Sequence, residues 1–135
     1  MNQAASNKQI TGKDVPISIL IVAGFMIVFG LAEMVTGFTH QFFGLTTAQI
    51  ALSTTLGVTL GLFYFVGGLL ILTRKRWAAI IAIILLCGDV LGRIGMVLSG
   101  FYPLNSFRQT FGIAAGTAIA VFFAIFISLK LKSFR

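Results

Sequence analysis

The chain has 135 residues, of which 58% are apolar and 10% charged, and its mean hydropathy is +1.03. An average soluble domain carries roughly 25% charged residues, so this composition excludes soluble globular, disordered, fibrous and disulfide-rich proteins and indicates an integral membrane protein. A membrane-spanning helix uses roughly 20 apolar residues, so four spans nearly exhaust the chain and leave no room for a soluble catalytic domain.

Four apolar segments follow one another along the chain. Residues 1–14 are polar and are predicted to form a cytoplasmic tail. Within a single transmembrane domain (residues 15–135), spans are predicted at about residues 15–38, 48–72, 77–98 and 107–129. Because the connections are short, the expected fold is all-α, an up-down bundle of four transmembrane helices. The runs are continuously apolar rather than alternating, which argues against a β-barrel.

Two pairs of segments resemble each other across the two halves of the chain. Residues 46–49 (TTAQ) and 106–109 (SFRQ) both place a hydroxyl three residues before a Gln, the pattern of a capped helix N-terminus. Residues 34–38 (MVTGF) are also similar to residues 96–101 (MVLSGF). The similarity suggests two duplicated helical hairpins, and chance similarity within a small alphabet is the slightly preferred alternative.

The basic residues predict the orientation. Eight of them lie in the N-terminal tail, in the loop between the second and third spans and at the C-terminus, whereas the opposite side holds only Arg108. Cytoplasmic loops carry an excess of Lys and Arg, so both termini are expected in the cytoplasm. Topology and attraction to anionic lipid then explain the net charge of +7, and no nucleic-acid partner is needed.

Three spans contain two glycines four residues apart, a spacing that places both on one helix face and lets two backbones approach closely. We expect these glycines to mediate helix packing, mainly inside the bundle. The alternative is an interface in a homo-oligomer or with other membrane subunits. The residues are Gly57 and Gly61, Gly88 and Gly92, and Gly112 and Gly116, with Ala120 continuing the last stripe.

Glu33, Asp89 and Arg93 are the charged residues inside the spans. At 1.5 Å per residue all three lie in the outer half of the membrane, and Asp89 and Arg93 form an i, i+4 pair. Two acids and one base are net negative, so one acid is expected to take up a proton, bind a cation or find another partner, such as Arg108. The predicted polar lining of this possible ion or ligand site consists of Thr36, Thr54, Thr55, Arg108, Gln109 and Thr110.

The alternative is a structural cluster, in which Arg93 reaches the outer interface and Asp89 holds it by one ion pair. No catalytic residue, metal site or cofactor is predicted, because one Cys and one His exclude a structural zinc site and a bis-His haem. The chain contains no P-loop and no dinucleotide-binding fingerprint. Tyr64, deep in the second span, is predicted to pack there with its hydroxyl on a neighbouring backbone carbonyl.

Residues 61–79 (GLFYFVGGLLILTRKRWAA) resemble the junction between the second and third helices of DoxX-like small membrane proteins, as does the plan of four helices with short loops. Residues 88–93 (GDVLGR) and 100–103 (GFYP) are similar to segments of uncharacterised relatives of that group. Some members are linked to quinone-coupled oxidation, so the resemblance implies a quinone- or lipid-handling component of a membrane oxidoreductase. It implies no catalytic residue in this chain.

Three functions therefore stay open, in this order and with a narrow margin between the first two. The first is a non-catalytic accessory subunit of a membrane complex that packs through its glycine faces. The second is an oligomeric transporter or channel for protons or cations that uses Glu33, Asp89 and Arg93. It predicts a water-accessible cavity, and a dry, fully paired cluster would argue against it. The third is the quinone- or lipid-handling component that the resemblance implies.

Overall fold

The structure is a computed structural model that describes residues 16–39, 41–42, 45–46, 51–100 and 104–134. Four long helices make up most of this part of the chain: α1 (Ile17–Thr39), α2 (Ala51–Leu72), α3 (Arg76–Leu98) and α4 (Phe107–Leu129). A short 3-10 helix, η1 (Leu131–Ser133), follows α4. The prediction of four long helices is confirmed, with ends that differ from the predicted ones by at most three residues.

Each of the four helices is long and apolar enough to cross a membrane. Large apolar side chains cover the outside of the bundle, for example Ile17 on α1, Leu91 on α3 and Phe111 on α4. A soluble monomer rarely exposes a continuous apolar surface of this extent, whereas lipid tails are as apolar as these side chains. The four apolar helices and this outer surface suggest a multi-pass membrane protein.

Two short strands that the apolar pattern did not predict lie between α1 and α2. Strand β1 (Gln41–Phe42) pairs antiparallel with β2 (Leu45–Thr46), with Gln41 opposite Thr46 and Phe42 opposite Leu45. Two residues per strand are too few for an alternating pattern, which needs four or more residues to be recognised. The first predicted capping pattern extends to residues 47–49, and these lie outside the described residues, as does the tail of residues 1–14.

The second capping pattern forms as predicted. Ser106 has extended backbone angles and its Oγ accepts a hydrogen bond from the Gln109 amide at 3.3 Å, which starts α4. The segments that resemble each other differ in conformation, because Gly37 lies inside α1 whereas Gly100 follows α3 with a φ of +71°.

Helices α1 and α2 pack backbone against backbone. A Cβ atom added to Gly30 would lie 2.5 Å from the Phe65 amide nitrogen, and one added to Gly61 would lie 2.6 Å from the Met34 amide nitrogen. A Cβ on Gly37 would lie 2.7 Å from the Val58 amide nitrogen, nearer the start of α2. Since real Cβ atoms essentially never come within 3.0 Å of such atoms, only glycine fits at these positions.

The contact between α1 and α2 joins glycines that were predicted to pack, on α2, with glycines that were not predicted to do so, on α1. Gly57 and Gly61 were expected to pack, and the structure places both against α1. Their partners Gly30 and Gly37 are spaced seven residues apart, with Ala23 seven residues earlier. In the sequence of α1, this seven-residue repeat of small residues indicates the contact with α2. A search for glycines four residues apart does not find it.

Gly88 and Gly92 of α3 make a different kind of contact, because they face side chains of α2 rather than its backbone. A Cβ on Gly88 would lie 3.2 Å from the Phe63 ring, and one on Gly92 would lie 2.7 Å from Leu60 Cδ2. On α4, Gly112 is half-buried and Ala120 is fully buried in the apolar core.

The apolar core is concentrated at the end of the bundle where α1 begins and α4 ends. Ile19, Ile71, Ala79 and Ile127 are buried together there, and Phe134 folds back after η1 to join them. Near the middle of the bundle, Phe123 of α4 packs edge-on against Tyr64 of α2, with ring centroids 6.3 Å apart. The charged cluster lies beyond this aromatic pair, toward the opposite end.

Candidate functional site

A charged cluster joins α1 to α3. Arg93 Nη2 donates a hydrogen bond to Glu33 Oε1, and Arg93 Nε donates to Asp89 Oδ2 at 3.0 Å. The side chains of Arg93 and Glu33 are 12% and 20% exposed, and that of Asp89 is fully buried. The structure thus brings together all three charged residues that the sequence places in the spans, and Arg93 bridges the two acids.

The helix packing explains why the three side chains meet. Asp89 and Arg93 are one turn apart on α3 and so lie on the same face. Glu33 lies three residues after Gly30, at the place where α1 approaches α2 most tightly, so this contact fixes its height. A long guanidinium side chain then spans the remaining distance between α3 and α1.

Gly116 of α4 forms one wall of the cluster. A Cβ added to Gly116 would lie 2.5 Å from Arg93 Nη1 and 3.2 Å from Arg93 Cζ. The glycine was expected to bring two helix backbones together, and this expectation is corrected: its missing side chain makes room for the guanidinium. With Tyr64 added, each of the four helices contributes a residue to the site.

Tyr64 of α2 lies beside the same wall. Its hydroxyl donates a hydrogen bond to the Gly116 carbonyl at 3.4 Å, which is the type of partner predicted for it. This residue closes the site on the side of the apolar core.

One buried carboxylate oxygen of the cluster has no hydrogen-bond partner among the described residues. Asp89 Oδ1 is buried and accepts no hydrogen bond from the residues that the structure describes. With both acids ionised the cluster carries one negative charge in excess, inside a low-dielectric environment. A proton added to this oxygen removes the excess negative charge, so the cluster fits an exchangeable proton.

Three residues of the predicted polar lining, Arg108, Thr36 and Thr110, have other environments or partners than the charged cluster. Arg108 is exposed in the first turn of α4 and forms no ion pair with a described residue, so the expectation that it neutralises an acid is corrected. Thr36 donates to the Ala32 carbonyl of its own helix at 2.8 Å, and the exposed Thr110 donates to the Ser106 carbonyl at 3.2 Å. Helical Thr hydroxyls commonly bond a carbonyl four residues back.

The other three predicted lining residues, Thr54, Thr55 and Gln109, each make an interaction within the protein. Among the described residues, no group of three or more His, Cys, Asp or Glu side chains is placed to hold a metal ion. The site is thus a small cluster of charge with one tyrosine, set in apolar surroundings.

We expect Tyr64→Phe to lower the free energy of unfolding by about 1 kcal/mol or less. The hydrogen bond that the substitution removes is long. The Gly116 carbonyl, which loses it, lies inside α4 and can still accept the backbone hydrogen bond of its helix. Thermal unfolding in detergent measures the change. A loss comparable to that of an Arg93 substitution would show that the hydroxyl supports the charged cluster directly.

The chain matches no protein-family model, no curated protein and no solved structure. The resemblance to DoxX-like proteins therefore stays a prediction, and the geometry of the charged cluster is the basis on which a function can be proposed.

Proposed function

We propose that the protein is a multi-pass membrane protein that moves protons across the bilayer, with the Glu33–Arg93–Asp89 cluster as the proton-binding site. Both termini lie in the cytoplasm in this proposal, and the four helices run up and down through the membrane. The observation that carries it is Asp89 Oδ1, a fully buried carboxylate oxygen without a donor among the described residues. Ionisable groups at such depth are costly and are a mark of proton and ion pathways.

The pairing pattern supports a proton rather than a metal cation as the bound species. Arg93 already occupies one oxygen of each acid, and a cation would have to lie beside the guanidinium. A proton needs no coordination shell and no extra volume. The cluster is partly accessible, because the Glu33 side chain keeps some exposure while that of Asp89 has none. It is also incompletely paired, because Asp89 Oδ1 has no donor among the described residues.

Proton flux into liposomes tests the proposal. Purified protein is reconstituted into vesicles that contain a pH-sensitive dye, and a potassium gradient with valinomycin imposes the membrane potential. We expect acidification well above that of protein-free vesicles, and we expect Glu33→Gln or Asp89→Asn to reduce it by about tenfold or more. Wild-type flux equal to that of empty vesicles would overturn the proposal.

Thr36→Val is the matched control for the two acid substitutions. Thr36 lies one turn after Glu33 on α1, and its hydroxyl bonds only the Ala32 carbonyl. The variant removes a polar group at nearly the same depth without touching the cluster. We expect its proton flux to equal that of the wild type, and an equal loss in this variant would show that the assay reports general damage.

An accessory subunit of a membrane complex is the second candidate. The glycines named for it mostly contact this chain's own helices, which weakens the idea that they bind a partner. Gly24 and Gly95, however, are exposed and have open space where a Cβ would lie, so partner helices have room to approach there. Native mass spectrometry after mild extraction tests this candidate: a hetero-complex of fixed stoichiometry supports it, and a homo-oligomer or monomer contradicts it.

The quinone- or lipid-handling interpretation rests on the resemblance alone and stays a prediction. An absorption spectrum of the purified protein that shows a bound quinone, haem or flavin would support it.

A further inference from the structure

A groove of about 480 Å³ runs between α3 and α4 on the outside of the bundle. Clefts that hold small ligands are roughly 300–1,000 Å³. The lining is aliphatic apart from Arg93 and Thr117, and it includes Val97, Ile113, Ala118 and Val121. The groove therefore offers a hydrocarbon surface with one charged group in its wall.

Arg93 brings an unused hydrogen-bond donor to this place. Its Nε and Nη2 atoms bond the two acids, whereas Nη1 has no acceptor among the described residues. Nη1 is the guanidinium nitrogen closest to Gly116 of α4, the helix that forms the other wall. The Thr117 hydroxyl donates to the Ile113 carbonyl at 2.7 Å. In hydrocarbon an unsatisfied donor costs several kcal/mol, so an occupant that supplies an acceptor is favoured.

The charge of the cluster selects the kind of acceptor. Two carboxylates already face the one guanidinium, so an anionic group on the occupant would add repulsion to a site that is net negative. An uncharged oxygen accepts from Nη1 without this penalty. The occupant that fits is apolar along its length and carries a neutral acceptor.

Depth distinguishes between lipids. Arg93 lies six residues beyond the midpoint of α3, or about 9 Å from the bilayer centre when 1.5 Å is taken per residue. The hydrocarbon core extends about 15 Å from the centre, so Arg93 lies about 6 Å inside its boundary. A phosphate headgroup stays outside this boundary. A lipid without a charged headgroup can place a carbonyl at the level of Arg93.

We infer that the α3–α4 groove binds a neutral lipid, whose uncharged carbonyl accepts a hydrogen bond from Arg93 Nη1 while its hydrocarbon chain lies along the groove. The inference goes beyond the proposed proton movement, because a lipid can bind there whether or not the protein moves protons.

Binding of three single-chain lipids to the full protein in detergent micelles tests the inference. The probes are monoolein, its ether analogue that lacks the carbonyl oxygen, and oleate. A hydrogen bond to a charged group predicts that monoolein binds about tenfold more tightly than the ether. Equal binding of ester and ether would overturn the inference, and tightest binding of oleate would show an anion site instead.

Two substitutions show whether the lipid occupies the groove. Ala118→Phe places a ring in it, and we expect the binding of both monoolein and its ether analogue to be lost. Leu91→Phe is the control, since Leu91 is 68% exposed on α3 and does not line the groove. If Ala118→Phe binds monoolein like the wild type, the groove is not the site. The readout is lipid binding, so a negative result leaves the proton-flux experiment unaffected.

Discussion

Replacing Gly30 by alanine is expected to destabilise the protein by about 3 kcal/mol or more, the upper end of the usual cost of overpacking. The added Cβ would lie 2.5 Å from the Phe65 amide nitrogen and 2.7 Å from the Gly61 carbonyl oxygen. Both are backbone atoms, so no side-chain rotation relieves the clash and α1 must move away from α2. Thermal or denaturant unfolding in detergent measures the loss.

Gly24→Ala is the control on the same helix. Gly24 is exposed and a Cβ there would have no neighbour within 4 Å. Alanine favours a helix by up to about 1 kcal/mol over glycine, so this variant is expected to be as stable as the wild type or more stable. Similar losses at Gly24 and Gly30 would contradict the close contact between α1 and α2.

Removal of the cation in the cluster is expected to have a comparable effect. Arg93→Gln leaves Glu33 and Asp89 without the guanidinium that both acids bind. Breaking a buried pair by removing one partner typically costs about 3–5 kcal/mol, because an uncompensated charge stays buried. We expect a loss of this size in unfolding experiments at neutral pH, and a smaller loss at acidic pH, where protons neutralise the two acids.

Replacing the two acids by neutral side chains is expected to restore the stability that Arg93→Gln loses. In the Glu33→Gln, Asp89→Asn, Arg93→Gln triple variant no charge is left buried, and amide side chains of similar size replace the charged ones. Replacing a whole buried ion cluster is often close to neutral, so most of the lost stability is expected to return. A triple variant as unstable as Arg93→Gln alone would show that the loss comes from packing rather than from charge.

The sequence was sufficient to predict the helices, because each is a long apolar run bounded by polar residues. The fourth span, residues 107–129, coincides with α4, and the others differ at their ends by one to three residues. It was also sufficient to predict that Glu33, Asp89 and Arg93 meet, because charge at this depth needs a partner. These features depend on composition and on spacing along one helix.

Contacts between different helices could not be predicted from the sequence, because they depend on which face of each helix packs against its neighbour. A four-residue spacing identifies a small face but not its neighbour, and so Gly116 was expected to contact a backbone when it faces Arg93. Depth along a span says nothing about rotation around the helix axis. For that reason Thr110 was placed in the polar lining, although it is exposed.

Infrared spectroscopy of the protonated-carboxyl band tests the central claim, that the cluster holds an exchangeable proton, most directly. The chain has three acidic side chains in all, and an Asp14→Asn background leaves only Glu33 and Asp89. We predict one protonated carboxyl at neutral pH, which disappears on deprotonation at high pH and is altered by Glu33→Gln or Asp89→Asn. A spectrum that shows only ionised carboxylates at neutral pH would contradict a bound proton and leave a purely structural ion cluster.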